Sequence, residues 1–139
     1  MRQRSIEIEG LSHNAPIPMA CRVGPILVTS AIGGKDAATG KLPAEPAEQA
    51  FHCFENLKIV LGKAGMDLGD VVKVDVFIAD EALRDVINPV WIACYPDPHK
   101  RPARHAHTGP LRGGQLTQIV AMAVARQSCD HATQAPQNP

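Results

Sequence analysis

Arg104 follows Arg101-Pro102-Ala103 on a segment that reads as a strand, flanked by small or polar residues. An arginine so placed offers a planar fork of N–H donors that can grip a carboxylate through two parallel hydrogen bonds. The plainer alternative is a surface arginine in a loose ion pair, and local residues leave both open. His105 and His107 stand two apart on the same segment, so they share one strand face, and such a pair can bind a metal. Neither Cys53 nor His131 stands at a recognisable ligand spacing from them. Ordinary hydrogen-bonded histidines are therefore expected, with no metal and no cofactor. Cys53 and Cys94 fall in helical segments, where a free thiol behaves as a small hydrophobe. Glu45/Glu48 and Asp67/Asp70 read as solvated charges at helix ends. The chain carries no P-loop, no GxGxxG after a strand, no HExxH and no GxSxG. Gly33-Gly34 and Gly113-Gly114 fit turns better than phosphate cradles.

The elements that must position these side chains follow from periodicity. Ser5–Glu9 alternates apolar and charged residues and predicts a half-buried strand, followed by a loop over Gly10–Met19. Cys21-Arg22-Val23 and Ile26–Ser30 flank Gly24-Pro25 and predict a hairpin. Ala31–Pro43 predicts a long exposed loop. Pro46–Ala64 is the clearest helix, with Ala50, Phe54, Leu57, Leu61 and Ala64 in one stripe, Pro46 in its first turn, Lys63 in its last and Gly65 at its C-cap. Val71–Ile78 predicts a strand with Val72, Val74 and Val76 on one face. Ala82–Tyr95 predicts a second helix, broken or kinked near Asn88 because Pro89 has no backbone N–H to donate. Arg104–Thr108 and Leu116–Ala125 predict two strands joined by a turn at Gly113-Gly114. This order points to an α+β sandwich, with two helices on one face of a mixed sheet and a partner subunit as the natural cover for the other face. One domain is expected over residues 1–126, followed by a polar tail over 127–139.

Composition bounds the function. The chain has 139 residues, enough to bury about two-thirds of its unfolded surface without a disulfide or metal staple. Its 14 Lys+Arg balance 14 Asp+Glu, which counts against an electrostatic nucleic-acid binder. Aromatics make up only 4%, too few for a stacking platform for single strands. No stretch approaches the ~20 apolar residues of a membrane span, and no apolar signal core follows Met1-Arg2-Gln3-Arg4. A cytosolic protein is expected, with no membrane and no nucleic-acid partner, and with Cys21, Cys53, Cys94 and Cys129 as reduced thiols.

Several of these segments, taken in order, resemble the RidA/YjgF family. They are Val23-Gly24-Pro25-Ile26-Leu27-Val28-Thr29-Ser30, Gln49-Ala50 with Glu55-Asn56-Leu57, Asp70-Val71-Val72-Lys73-Val74, Asn88 with Trp91, and Arg101-Pro102-Ala103-Arg104. The resemblance runs from about Pro16 to Ala125. It implies a chorismate-mutase-like α+β fold assembled as a homotrimer, with three ligand sites between adjacent subunits. It also implies hydrolysis of 2-aminoacrylate-type enamines and imines to 2-keto acids and ammonia. On this resemblance Arg104 binds the substrate carboxylate, Ser30 lies beside the ligand, and Asn88 matches a common family residue near the second helix.

The chain departs from the family pattern at several places. Gln118 stands where the family has a glutamate that activates the hydrolytic water. Glutamine can hydrogen-bond water but cannot exchange a proton with it at neutral pH. Ala106 stands where a small thiol is usual, Ala31 follows Ser30 where glycine is usual, and the early-loop tyrosine has no match between Gly10 and Cys21. The site implied is cationic at Arg104 and poor in proton-transfer groups at Gln118, with His107 as a candidate helper. Strand parity, however, puts His105 and His107 on the face opposite Arg104. Three readings compete with a plain imine deaminase. One is a lyase or deaminase on an aromatic hydroxylamino or amino carboxylate. Another is a non-catalytic carboxylate-binding trimer, which Gln118 favours. The third is a ribonuclease, which neutral charge and few aromatics disfavour.

Overall fold

The computed structural model describes residues 3–126; the expected tail over 127–139, with Cys129 and His131, lies outside the described residues. One mixed sheet carries the fold. Its strands are β1 (Ser5–Ile6), β2 (Ala20–Val23), β3 (Ile26–Thr29), β4 (Ile32–Gly33), β5 (Val71–Ile78), β6 (Ala103–Thr108) and β7 (Thr117–Val124). They lie in the order β1-β2-β3-β7-β5-β6, with β4 also paired to β7. All pairs are antiparallel except β5–β6.

The first helix, α1 (Pro46–Lys63), has the expected proline in its first turn, Glu48 near its N-terminus and Lys63 near its end, as the helix dipole favours. Past its end, Met66 N–H donates to Leu61 O and Gly65 N–H to Gly62 O, while Gly65 takes φ 74°. That is a Schellman closure, and it requires the left-handed residue that glycine supplies. Phe54, Leu57, Val60 and Leu61 bury fully against Leu27, Ile32, Val74, Val76 and Ile119 of the sheet. Each such side chain contributes about 1.5–3 kcal/mol of transfer free energy. The second helix, α2 (Asn88–Cys94), lies on the same side, with Trp91 edge-on to Phe54 at 6.3 Å between centroids. The architecture is thus α+β, with two helices on one face.

Four expectations need correction. The second helix does not begin at Ala82: residues Glu81–Leu83 form a 3₁₀ turn capped by the Asp80 carboxylate, which accepts from Ala82 N–H at 2.9 Å. The break expected near Asn88 is present, since α2 starts there, and Pro89 sits in its first turn, where its missing N–H costs nothing. Val72 does not share a face with Val74 and Val76. A bulge between Val71 and Lys73 turns it outward, leaving it 45% exposed. The first strand covers only Ser5–Ile6, because a turn follows at once: Leu11 N–H donates to Ile8 O, and Gly10 has φ 87°. Finally, the loop from Ala31 contains β4, which pairs with Ile119 and Gln118 of β7.

The face of the sheet away from the helices is open in the single chain. Val23, Ile26, Val28, Val72 and Met122 are exposed on strands whose alternate residues form the core. No helix among the described residues is long and apolar enough to cross a membrane.

Candidate functional site

Two groups of side chains can do chemistry, and the sheet sends them to opposite faces. Arg104 on β6 stands in register with Val74, a core residue, so its side chain leans toward the helices. There its Nη2 donates to Asn88 Oδ1 at 2.9 Å, and its Cζ lies 4.9 Å from the centroid of the Trp91 ring. A guanidinium stacked on an indole and tethered to an amide is held in orientation, with its other N–H donors left for a ligand. Partial burial lowers the Arg104 pKa from the usual arginine value, with nearby Asp85 opposing the shift; the group stays charged. The approach of β6 is fixed from below. Tyr95 O–H donates to Leu68 O at 3.0 Å, and Arg101 Nε donates to Tyr95 O at 2.9 Å. Ala106, two residues on, points the same way as Arg104 and is half-buried.

Gln118 belongs to the other face. On β7 it alternates with Thr117 and Ile119, both buried, and it pairs with Gly33 on one side and Phe77 on the other. It lines a cavity of about 140 Å³ with Ala31, His13, Lys35, Asn56 and Gln115. Gly33 lines that cavity, and both it and Gly34 are held close to their neighbours by their lack of a side chain. A Cβ on Gly33 would stand 2.7 Å from Gln115 Oε1, and one on Gly34 would collide with the Gln49 backbone. Gly34 N–H donates to Gln115 Oε1 at 3.3 Å, and Asn56 Nδ2 donates to Gly33 O at 3.0 Å and Lys35 O at 2.8 Å. Two polar atoms of the cavity residues, His13 Nε2 and Asn56 Oδ1, are buried without a hydrogen-bond partner among the described residues. Buried polar atoms are rarely left so, and an ordered water or a polar ligand is their usual partner. Ser30 is half-buried next to Ala31, its N–H donating to Met19 O at 2.9 Å.

The structure therefore joins Arg104 with Asn88 and Ala31 with Gln118, but it does not join the two pairs within one chain. His105 and His107 lie on the Gln118 face, away from Arg104. The His107 ring stacks on Phe77 at 4.7 Å, and its Nε2 lies 3.0 Å from Asp75 Oδ1. That hydrogen bond, helped by Lys73, holds the Asp75 carboxyl below its usual pKa. Cys53 is buried in α1, its thiol donating to Thr117 O at 3.6 Å, and burial pushes its pKa up to about 12. Such a thiol is not a nucleophile. Sequence reasoning missed His13, Lys35, Asn56 and Gln115 as cavity residues. It also missed Asp75, whose charge amid the alternating valines of β5 was the one available signal.

A family model described as Endoribonuclease L-PSP matches residues 11–125. Among curated proteins, 2-iminobutanoate/2-iminopropanoate deaminase of Escherichia coli K12 is 34% identical over 65 residues, 47% of this chain and 51% of that protein. The mitochondrial protein mmf1 of Schizosaccharomyces pombe is 34% identical over 95 residues, 68% of this chain and 56% of that protein. The chain spans about half the length of the curated relatives it matches. Among solved structures, the YjgF gene product of E. coli superposes with a TM-score of 0.80 at 28% identity, covering 89% of this chain and 100% of that one. E. coli TdcF with bound serine gives a TM-score of 0.76 at 26% identity, covering 91% and 97%.

Proposed function

Because the chain belongs to the endoribonuclease L-PSP family, the RidA/YjgF family of reactive-intermediate deaminases, we propose that it hydrolyses a small carboxylate-bearing enamine or imine to a 2-keto acid and ammonia. The observation that carries this reading is the pair of half-sites: a stacked, tethered Arg104 on one face of the sheet and a polar cavity around Gln118 on the other. A homotrimer reconciles them. Packing the open apolar face of one copy against its neighbours would bury Val23, Ile26, Val28 and Met122 and could bring Arg104 of one chain to the cavity of the next. The working site is then intersubunit, in a cytosolic trimer.

In this site the substrate carboxylate takes the free donors of Arg104 through charge-assisted hydrogen bonds. Water held by the Gln118 side chain adds to the imine carbon, the imine nitrogen gains a proton, and the carbinolamine collapses to the keto acid as ammonia leaves. Gln118 orients the water but moves no proton. The titratable cavity groups are His13 and Lys35, and the unpartnered His13 Nε2 is the candidate to carry it. The test is keto-acid release from 2-iminopropanoate generated in situ. Turnover well above the spontaneous rate, lost in Arg104→Ala, is expected; a wild-type rate equal to the spontaneous one refutes the hydrolase.

A second reading rests on Gln118 itself: a trimer that binds carboxylates through Arg104 without turnover. It is favoured if pyruvate binds in an Arg104-dependent way while imines are hydrolysed no faster than in buffer.

A further inference from the structure

We propose that Asp75, His105 and His107 form a binding site for a divalent transition-metal ion on the open face of the sheet. The parallel pairing of β5 with β6 places Asp75 beside His105 and Phe77 beside His107. Because side chains alternate along each strand, all four point to the same face. One donor atom from each of the three candidate ligands lies within 4.8 Å of the others. The His105 and His107 rings are 4.2 Å apart between centroids.

Two imidazole nitrogens and a carboxylate oxygen are a donor set that divalent zinc, cobalt, nickel and iron accept, whereas magnesium and calcium prefer oxygen alone. Around a zinc ion with bonds of about 2.0–2.1 Å, tetrahedral donor atoms stand roughly 3.3 Å apart. The three side chains thus need only rotate inward, and His107 Nε2 and Asp75 Oδ1 already stand 3.0 Å apart. Stacking on Phe77 limits rotation of the His107 ring, so part of the ordering cost is met before an ion arrives. Asp75 and His107 are half-buried and His105 is exposed in the single chain, so the uncovered sheet face presents all three donors. Three protein donors leave at least one coordination position for water or an oxygen-bearing small molecule. One group opposes the ion: Lys73 Nζ lies 3.6 Å from Asp75 Oδ1 and competes for the carboxylate.

The site does not depend on the hydrolase reading, since none of its residues lines the Gln118 cavity or contacts Arg104. It is tested by titrating the full chain, freed of metal with a chelator, with Co²⁺. The visible absorption bands are followed, then Zn²⁺ is used to displace them, and calorimetry gives the stoichiometry. One ion per chain is expected. Loss of an outer-shell partner typically costs about 10–100-fold in metal affinity, so Asp75→Asn, His105→Ala and His107→Ala should each weaken binding by at least about tenfold. Lys73→Ala should tighten it, and His52→Ala, a histidine outside the cluster, should leave it unchanged. A Zn²⁺-induced rise in melting temperature, present in the wild type and lost in His105→Ala, gives a second readout on an exposed position that the fold tolerates. Absence of saturable binding, or binding that survives all three ligand substitutions, overturns the proposal.

Discussion

Replacing Gln118 with glutamate isolates the proton-transfer part of the proposed reaction. The two side chains have the same length and nearly the same volume, and residue 118 lies over Gly33 at a cavity of about 140 Å³, so Gln118→Glu adds a titratable oxygen without overpacking. The new carboxylate faces a wall that includes Lys35, which favours its ionised form. A positioned general base typically contributes about 10²–10⁴-fold, equivalent to about 2.7–5.4 kcal/mol of barrier. His13 lines the same cavity and on the proposed mechanism supplies part of that effect, so the gain expected is near the lower end, about 10²-fold in kcat. The assay is steady-state keto-acid release from 2-iminopropanoate, with pyruvate affinity measured alongside to show that the site is intact. A double-mutant cycle sharpens it. His13→Gln should slow the wild type strongly but Gln118→Glu only weakly, because groups that share one proton-transfer role are not additive. If Gln118→Glu binds pyruvate normally yet hydrolyses no faster than the wild type, then position 118 does not handle the water and the proposed mechanism fails.

Two further predictions concern the frame around the site. Gly34→Ala would place a methyl group against the Gln49 backbone. Backbone cannot yield as a flexible side chain can, so the variant should lose about 1–3 kcal/mol in urea unfolding; unchanged stability would refute the close approach. The thiols should separate kinetically in a Cys129→Ser background. With its pKa at about 12, Cys53 is protonated at pH 8 and should react with Ellman's reagent only on unfolding, later than Cys21, which is not in the core of the chain. Three equal fast phases would contradict the packing of α1 on the sheet.

What could be read from the residues was whatever depends on near neighbours. α1 was legible because eighteen residues repeat one apolar stripe between a proline and a glycine, and each signal agrees with the others. β3, β5 and β7 were legible from alternation or β-branched runs. β4 was not: it is two residues long, and what makes it a strand is β7, more than eighty positions away. Pro89 marked the break near Asn88, but a kinked helix and a fresh helix start look alike in sequence, so the turn before it was read as helix. The site followed the same division. The resemblance singled out Arg104, Asn88 and Gln118, but only the sheet showed that Arg104 and Gln118 turn away from each other. His13 and Asn56 meet at one cavity from segments over forty residues apart, and nothing local to either marks the encounter.

The position of β7 has a consequence for how the chain is made. The last strand among the described residues is the central one: it pairs with β3, β4 and β5, and Val124 faces Ile26 across nearly a hundred residues. During synthesis the β2–β3 hairpin and α1 emerge early, yet α1 cannot find its full apolar bed until β7 has left the ribosome. Until then Phe54, Leu57 and Leu61 have only part of their partners. Pairings this distant also slow the search for the native sheet. A ribosome stalled a few residues short of Val124 would therefore hold a chain with most of its core residues and no closed core. Such a nascent chain would expose that apolar surface until β7 arrives.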